Sequence, residues 1–427
     1  MREMKDSGVE WIGEIPKNSS LIPLKYLSSI IRGGSPRPIA SFLTDEINGY
    51  NWIKIGDTKK DSKYITETKF KIKLSGLNST RLVKKGSLLL TNSMSFGEPY
   101  ILKIDGCIHD GWVSLFDFRN VVQEYLYYCL LSKVCRVQFE RLTDGGVVQN
   151  LNIDKIASVK VVLFDLTEQK QIANFLDSKC SEIDATAEDI QKEIALLEDY
   201  KKSVIIEAVT KGLNPDAEMK DSGIAWIGEI PKDWKVDKIK YHLKRNEPKN
   251  PGNAIVLSVY RDYGVVPKDS RDDNHNVTSE DTSKYKYVKK GQLVINKMKA
   301  WQGSLAVSDY DGIVSPAYFI YDFIDEEYNH KYFHYLVRSC YKEEFKRISG
   351  GIREGQWDLS PEGFSNTLVL LPSIEEQNEI LDYILQKEIE IDAIIADKKR
   401  QRGILAEYKK SLIYEYVTGK KEVPVHE

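Results

Sequence analysis

Two stretches of the chain carry an apolar beat of seven residues. Between Thr167 and Thr210, the side chains Leu176, Ile183, Ile190, Leu197 and Val204 fall at every seventh position, and Ala173, Cys180, Ala187, Ile194 and Ala208 fill most of the companion positions. An apolar repeat of that period is the seam of a helix that pairs with another helix. Residues 375–418 hold the same seam with Ile384, Ile391, Leu405 and Leu412, supported by Leu381 and Ile395 and interrupted by Lys398. Thr167-Glu168-Gln169 marks a helix start, and Gly212 and Pro215 mark its stop. A helix of that span is on the order of 65 Å long at 1.5 Å per residue. That is too long to lie across one small domain, so the two helices are expected to pack antiparallel along their seams.

Between these stretches the period changes. Segments such as Asn51–Ile55, Gly86–Thr91, Ile156–Leu163 and Gly291–Asn296 are short, β-branched or aromatic, and bounded by Gly, Asn or Asp. They predict strands. One amphipathic helix is expected in each middle, near Val121–Arg141 and Asn329–Arg347. Each middle, 18–165 and 233–371, is therefore a mixed α/β unit of about 140–150 residues, a common domain size.

The chain is also a duplication. Met4–Lys17 reads MKDSGVEWIGEIPK, and Met219–Lys232 reads MKDSGIAWIGEIPK, with twelve of fourteen positions identical at an offset of 215. Tyr200–Thr210 (YKKSVIIEAVT) returns as Tyr408–Thr418 (YKKSLIYEYVT) at an offset of 208. Weaker echoes join Val83–Gly86 to Val288–Gly291, Asp105-Gly106 to Asp311-Gly312, Gly145-Gly146 to Gly350-Gly351 and Glu168-Gln169 to Glu376-Gln377. The flanking pieces stayed alike while the middles diverged, so the flanks are expected to do one job twice and the middles two different jobs. Two like units joined head to tail close most simply about a pseudo-twofold axis. Met4 should then lie within about 30 Å of Thr418, the reach of an eight-residue linker. Trp11 and Trp226 should occupy equivalent pockets under a helix end.

Composition adds little direction. The chain has 61 Lys and Arg against 64 Asp and Glu, a net charge of -3, which does not announce a nucleic-acid binder. Charge is nevertheless uneven: residues 1–165 carry 23 basic and 18 acidic side chains, whereas 166–213 carry 6 and 10. Phosphates respond to local patches within a Debye length. Five cysteines without a CxxC pair imply reduced thiols and a cytoplasmic protein, and no apolar run is long enough to span a bilayer.

Catalytic motifs are missing. There is no GxxxxGK[ST] phosphate loop. Asn214-Pro215-Asp216-Ala217 lacks the second proline and the aromatic residue of a DNA methyltransferase tetrapeptide. Pro215-Asp216 and Glu218-Met219-Lys220 spell the parts of a PD…ExK nuclease, but one intervening residue cannot bring two carboxylates to a metal from separate strands. His330 and His334 share a helix face, yet Lys331 stands where a zinc protease has its glutamate. No catalytic residue and no metal site are expected.

The middles instead carry basic, amide and aromatic side chains in apparent loops. In the first middle these are Arg32, Ser35 and Arg37, then Lys54, Lys59 and Lys60, then Asn92 and Ser93, then Gln149 and Asn150. In the second they are Tyr260 and Arg261, then Asn296, Lys297, Lys299 and Trp301, then Arg353 and Gln356. Arg and Lys suit guanine edges or phosphates, and Asn and Gln suit adenine edges. Their recurrence at matching places in both copies points to DNA.

At this point the sequence resembles the specificity subunits of type I restriction-modification systems, over nearly its whole length. The residues that carry the likeness are the doubled MKDSGxxWIGEIPK, Gly33-Gly34-Ser35-Pro36, Trp52–Asp57 and Lys84–Leu89. Gly312–Tyr318 and the two EQ-initiated helices ending in YKKS complete the set. The second copy has Asn246-Glu247-Pro248-Lys249 where the first has Gly-Gly-Ser-Pro, so which of its loops would touch DNA is open. The resemblance implies an α+β fold of two target-recognition domains joined by two long antiparallel coiled-coil helices. Its boundaries are 1–166 for the first domain, 167–212 for the first spacer helix, 213–372 for the second domain, 373–418 for the second helix and 419–427 for a tail. It implies a non-catalytic protein that reads a split, asymmetric double-stranded DNA site and scaffolds two methyltransferase subunits and, through them, restriction and translocase subunits. S-adenosylmethionine, ATP and Mg2+ would serve the complex and not this chain. The alternatives are a coiled-coil scaffold, or another double-headed nucleic-acid-binding protein without a restriction role. A self-sufficient nuclease or methyltransferase would need the motifs that are missing.

Overall fold

A computed structural model describes residues 2–59, 62–93, 97–143, 151–252, 254–261, 263–270, 281–351 and 357–424. Two continuous long helices, Leu166–Lys211 and Ile374–Val417, are its longest elements. The chain divides into two compact units. One is Met1–Lys192 with Lys399–Glu427, and the other is Glu193–Lys398. Each unit thus takes half of either long helix. Among the described residues no helix is long and apolar enough to cross a membrane.

The first unit opens on a hairpin, Met4–Asp6 against Glu14–Pro16, whose connection turns through Gly8 and Gly13 at φ 71° and 68°. Two five-stranded sheets follow. The first runs in the order 29–32, 112–116, 88–91, 99–102, 64–65, and the second in the order 43–44, 70–72, 50–53, 106–108, 81–83. Strand Leu88–Thr91 explains its own unbroken apolar run. Leu88 and Leu90 pack towards Tyr125, Leu126 and Phe139, while Leu89 packs on the opposite face with Ile108 and Trp112. A strand covered on both sides has no polar face to alternate with.

The second unit repeats this plan. Its hairpin Met219–Asp221/Glu229–Pro231 has the register of the first, residue for residue. Its main sheet runs 243–245, 318–323, 293–296, 305–307, and Leu293 and Ile295 face one core while Val294 faces another.

Two sequence expectations are corrected here. The single helix expected in each middle is a broken pair, Gln123–Leu131 with Lys133–Thr143 and His330–Cys340 with Lys342–Arg347. In the first unit the break is Ser132, extended at ψ 155°, whose hydroxyl bonds back to the Cys129 carbonyl and so competes with the helix ladder. Ile156–Leu163 is only half strand. Asn152 caps a short helix over Ile153–Ser158 by accepting from the Lys155 amide, and the strand begins at Lys160.

Within each unit the long-helix segments run antiparallel. In the first, Lys409 reaches Asp184 at 2.6 Å and Phe175 meets Tyr416 with ring centroids 4.5 Å apart. In the second, Lys201 reaches Asp392 at 2.8 Å and Lys398 reaches Glu193 at 2.6 Å. Lys201 and Lys409 are the same residue of the two YKKS motifs, and each pairs with the matching aspartate. Of the seam, Leu176, Ile183, Ile190, Val204, Ile384, Ile391 and Leu412 are buried, whereas Leu197 and Leu405 are half-buried. Lys398 interrupts the apolar seam without being stranded, because Glu193 meets its ammonium.

The two chain ends meet in the first unit. Ile12 and Ile15 share a core with Leu412, Ile413, Tyr416 and Val417, and Arg2 Nε donates to Glu422 at 2.6 Å. In the second unit Ile224 and Ile230 pack on Ile205, Ala208 and Val209 in the same way. The tryptophans depart from expectation. Trp11 lies half-buried under the Arg141 guanidinium at 4.2 Å, while Trp226 is 42 % exposed against Tyr341. In the second unit a further tryptophan, Trp234, meets the start of a long helix: it is fully buried and donates from Nε1 to Glu376 at 2.8 Å.

Candidate nucleic-acid interface

Strand ends bring the polar loops of the first unit to one rim. The strands ending at Arg32, Ile53, Thr91 and Ile108, and the one starting at Trp112, all stop there. Asp110 is the hub. Its carboxylate accepts from the Ser35 hydroxyl at 2.6 Å and from Arg37 at 3.3 Å, and its carbonyl accepts from Arg32 Nε at 3.0 Å and from the Asn92 amide at 3.2 Å. The Ser35 bond, with Arg37 and His109 nearby, holds the Asp110 carboxyl below the ordinary range. Gly33 and Gly34 are required by close approach. A Cβ on Gly33 would lie 2.1 Å from the His109 carbonyl, and one on Gly34 would lie 2.6 Å from that of Ser79. Lys54 joins the rim through its neighbour Ile55, whose amide donates to His109 Nε2 at 3.1 Å, and its ammonium sits 4.0 Å over the Phe70 ring.

Not every candidate reaches this rim in usable form. Asn92 is corrected: it is 1 % exposed, and its backbone ties Gly111 to Leu151, so it holds the loops together and is closed to a base edge. Lys59 is engaged by Glu67 at 2.7 Å, away from Asp110. Ser93 is half-buried beside Asn92, and Arg37 is 74 % exposed. Lys60, Gln149 and Asn150 lie outside the described residues.

The second unit builds a rim from the same backbone plan with different side chains. Lys297 takes the place of Asn92: its amide donates to the Ala317 carbonyl and its carbonyl accepts from Leu359, as Asn92 does with Gly111 and Leu151. Where Asn92 turns inward, Lys297 reaches out to Asp358 at 2.8 Å. Asn296 is half-buried and accepts from the Met298 amide, Lys299 is exposed, and Trp301 faces Trp357 with centroids 5.6 Å apart. Tyr260 is half-buried and packs edge-on to Tyr263, and Arg261 is exposed while its carbonyl receives Arg338. Arg353 and Gln356 lie outside the described residues. Sequence reasoning missed Asp110, which organises the first rim, and Asp358, which meets Lys297 in the second. Two arginines near a Gly-rich turn call for an acid, but only the fold says which one.

Of the groups weighed for catalysis, Asp216 and Glu218 are exposed, and the two histidines are engaged in packing and hydrogen bonding. His330 stacks on Phe323 at 3.9 Å, and His334 accepts from the Val307 amide at 3.1 Å. Burial raises the thiols of Cys107 to about 11 and of Cys129 and Cys340 to about 12, so they are held as poor nucleophiles.

The frame under both rims is one device used twice. Gln169 is fully buried, accepts from the Val122 amide at 2.8 Å and donates to the carbonyls of Asn120 and Phe164. Gln377 accepts from the Asn329 amide at 2.8 Å and donates to the carbonyls of Glu327 and Pro372. Each EQ pair thus locks a long helix to the globular part behind it.

Comparison with known proteins agrees with this frame. Residues 23–196 match the model of the type I restriction modification DNA specificity domain. The type I restriction enzyme MjaVIII specificity subunit of Methanocaldococcus jannaschii is 24% identical, over 96% of this chain and 94% of that protein. The putative MjaX specificity subunit of the same organism is 31% identical, over 53% of this chain and 52% of its own length. Among solved structures, a chain from work on complex assembly and conformational transition of the type I R-M system aligns with TM-score 0.68 and 12% identity, covering 95% of this chain and 99% of that one. The HsdS subunit from Thermoanaerobacter tengcongensis aligns with TM-score 0.53 and 13% identity, over 95% and 98%. These structures share the fold, and the chain is similar over nearly its whole length to type I restriction enzyme specificity subunits, with the type I restriction modification DNA specificity domain matched over residues 23–196.

Proposed function

We propose that each globular part reads one half of a split, asymmetric DNA site, and that the long helices set the spacing and carry the methyltransferase subunits. The observation behind this reading is the contrast within the duplication. Hairpin, EQ lock and helix pair are the same in both units, while the rims differ at matching positions, Asn92 against Lys297 being the plainest case. A frame kept constant under two different polar surfaces suits one assembly task and two reading tasks. The chain contributes no catalytic group of its own. S-adenosylmethionine, ATP and Mg2+ belong to the partner subunits, and restriction and translocase subunits join through them. Leu196 and Tyr200 on the first long helix are 69 % and 55 % exposed, and their repeat counterparts Ile404 and Tyr408 on the second are 62 % and 52 % exposed. Two like apolar patches support two like docking subunits.

The test uses the assembled methyltransferase complex and methylome sequencing. Arg37→Ala with Lys54→Ala should relax or weaken one half-site only, and Lys297→Ala with Lys299→Ala the other. A lost base contact costs about 1–3 kcal/mol and relaxes one position. A set that alters both halves equally would refute the division of labour.

A further inference from the structure

The second unit buries an imidazole that its fold does not require. His242 follows the turn Ile239–Tyr241 and is 2 % exposed. Its Nδ1 lies 2.8 Å from Asp325 and 3.5 Å from Glu327, and its Nε2 lies 3.6 Å from Asp237. Nε2 is buried and has no hydrogen-bond partner. A neutral imidazole carries one proton. With that proton on Nδ1 and donated to Asp325, the Nε2 lone pair is aimed at a second carboxylate. Three acids around one ring need one more positive charge.

The first unit shows that the scaffold does not demand this. There the Leu27 carbonyl accepts from the Arg119 amide, as the His242 carbonyl accepts from Ile324. Leu27 is as buried as His242, so a leucine fills the equivalent place. The polar cluster is an addition made in one copy.

We propose that His242, Asp325 and Glu327 bind a divalent transition ion of the zinc class, with Asp237 as the outer carboxylate. Two ligand atoms each about 2.0–2.2 Å from zinc at a tetrahedral angle stand about 3.3–3.6 Å apart. The Glu327 spacing, 3.5 Å, falls in that range; the Asp325 spacing, 2.8 Å, is that of a hydrogen bond and would open by about half an ångström around an ion, and the three ligand atoms lie within 4.8 Å of one another. An ion on Nδ1 moves the proton to Nε2, which then donates towards Asp237. This is how metal-bound histidines are usually held, and it gives the orphaned nitrogen its partner. Glu327 is 55 % exposed, which leaves an entry path and room for a water as fourth ligand. The imidazole favours zinc-like ions over Mg2+, which prefers oxygen throughout. The site sits at a structural joint, because the Glu327 carbonyl also receives the Gln377 side chain at the base of the second long helix. The ion would brace the globular part against that helix. No ligand spacing in the sequence announces the site, since Asp325 and Glu327 come from a bend more than eighty residues from His242.

The experiment uses the full chain, stripped with a chelator and titrated with Co2+, whose visible absorption reports tetrahedral N/O ligation. About one Co2+ per chain should bind, be displaced by Zn2+ and resist a large excess of Mg2+. His242→Leu should keep the far-UV spectrum, since leucine serves in the first unit, and lose the band. Asp237→Asn should weaken binding about 10–100-fold. If His242→Leu fails to fold, Glu327→Gln, at the exposed ligand, serves as the same test. Absence of the band, or its survival in His242→Leu or Glu327→Gln, would overturn the proposal. So would stability at this joint that follows pH and ignores the metal, which would mean that the acids hold a proton on His242.

Discussion

At the residue scale, the molecule depends on a few buried polar side chains whose partners are all backbone. Gln169 makes three hydrogen bonds to backbone groups of the connections at Asn120, Val122 and Phe164. Removing it strands buried donors and acceptors, and each such loss costs about 1–3 kcal/mol. Gln169→Ala should therefore destabilise the first unit by at least that much in a chemical denaturation series, with Gln169→Glu retaining only the acceptor half. An unchanged midpoint would show that water replaces the side chain without loss. His334 supplies a pH dependence. Burial, with Arg338 and Lys331 close by, lowers its pKa from 6.5 to about 3. A depressed value means that the unfolded chain takes the proton first. The contribution is intact above pH 6.5 and is lost as pH falls from there towards 3. The slope is at most about 1.4 kcal/mol per pH unit, and less in practice because the ring edge keeps some contact with solvent. His334→Gln, which keeps an acceptor for the Val307 amide, should flatten the acid limb of a thermal-melt series between pH 6.5 and 4.

At the element scale, the helix pairing combines an apolar seam with ion pairs, and magnitudes rank the two. Lys409–Asp184 and Lys201–Asp392 are partly exposed and screened by solvent, so each contributes less than about 1 kcal/mol. Leu176 is fully buried in the seam, and truncating such a residue costs about 2–5 kcal/mol. Leu176→Ala should therefore destabilise the chain several times more than Lys409→Ala. A double-mutant cycle of Lys409 with Asp184 should return a small coupling that shrinks in high salt. The ion pairs then serve register more than strength, since Asp184 and Asp392 each admit the YKKS lysine at one helical offset. If Lys409→Ala proved the costlier change, the seam would not be what holds the segments together.

At the scale of the whole molecule, the chain's ends are partners. Met4–Pro16 closes the C-terminal helix end in the first unit as Met219–Pro231 closes the other helix end in the second. In one unit the connection is covalent, and in the other it is made by packing and by Arg2 with Glu168 and Glu422. Joining the termini with a short linker and opening the chain near Asn214 should leave both units folded and the methylated DNA site unchanged. Loss of folding in that permutant, with the linker long enough, would mean that the existing order of synthesis or the free ends matter to the architecture.

What the sequence determined by itself was whatever repeats or has a period. The seven-residue beat gave the long helices and most of their buried faces, because a paired helix exposes its seam at fixed intervals. The duplicated MKDSG and YKKS segments gave two units and the meeting of the ends, because like sequences make like local contacts. The tertiary structure alone decided what each polar side chain does. Asn92 and Lys297 hold the same place in the frame, yet one turns inward and the other outward, and no local pattern distinguishes them. Asp110, Asp358 and Glu327 matter through neighbours far away in the chain. Trp11 and Trp226 lie in segments identical at twelve of fourteen positions but meet Arg141 in one unit and Tyr341 in the other. Periodicity is a property of neighbours along the chain. A binding surface is a property of neighbours in space, and the fold creates those.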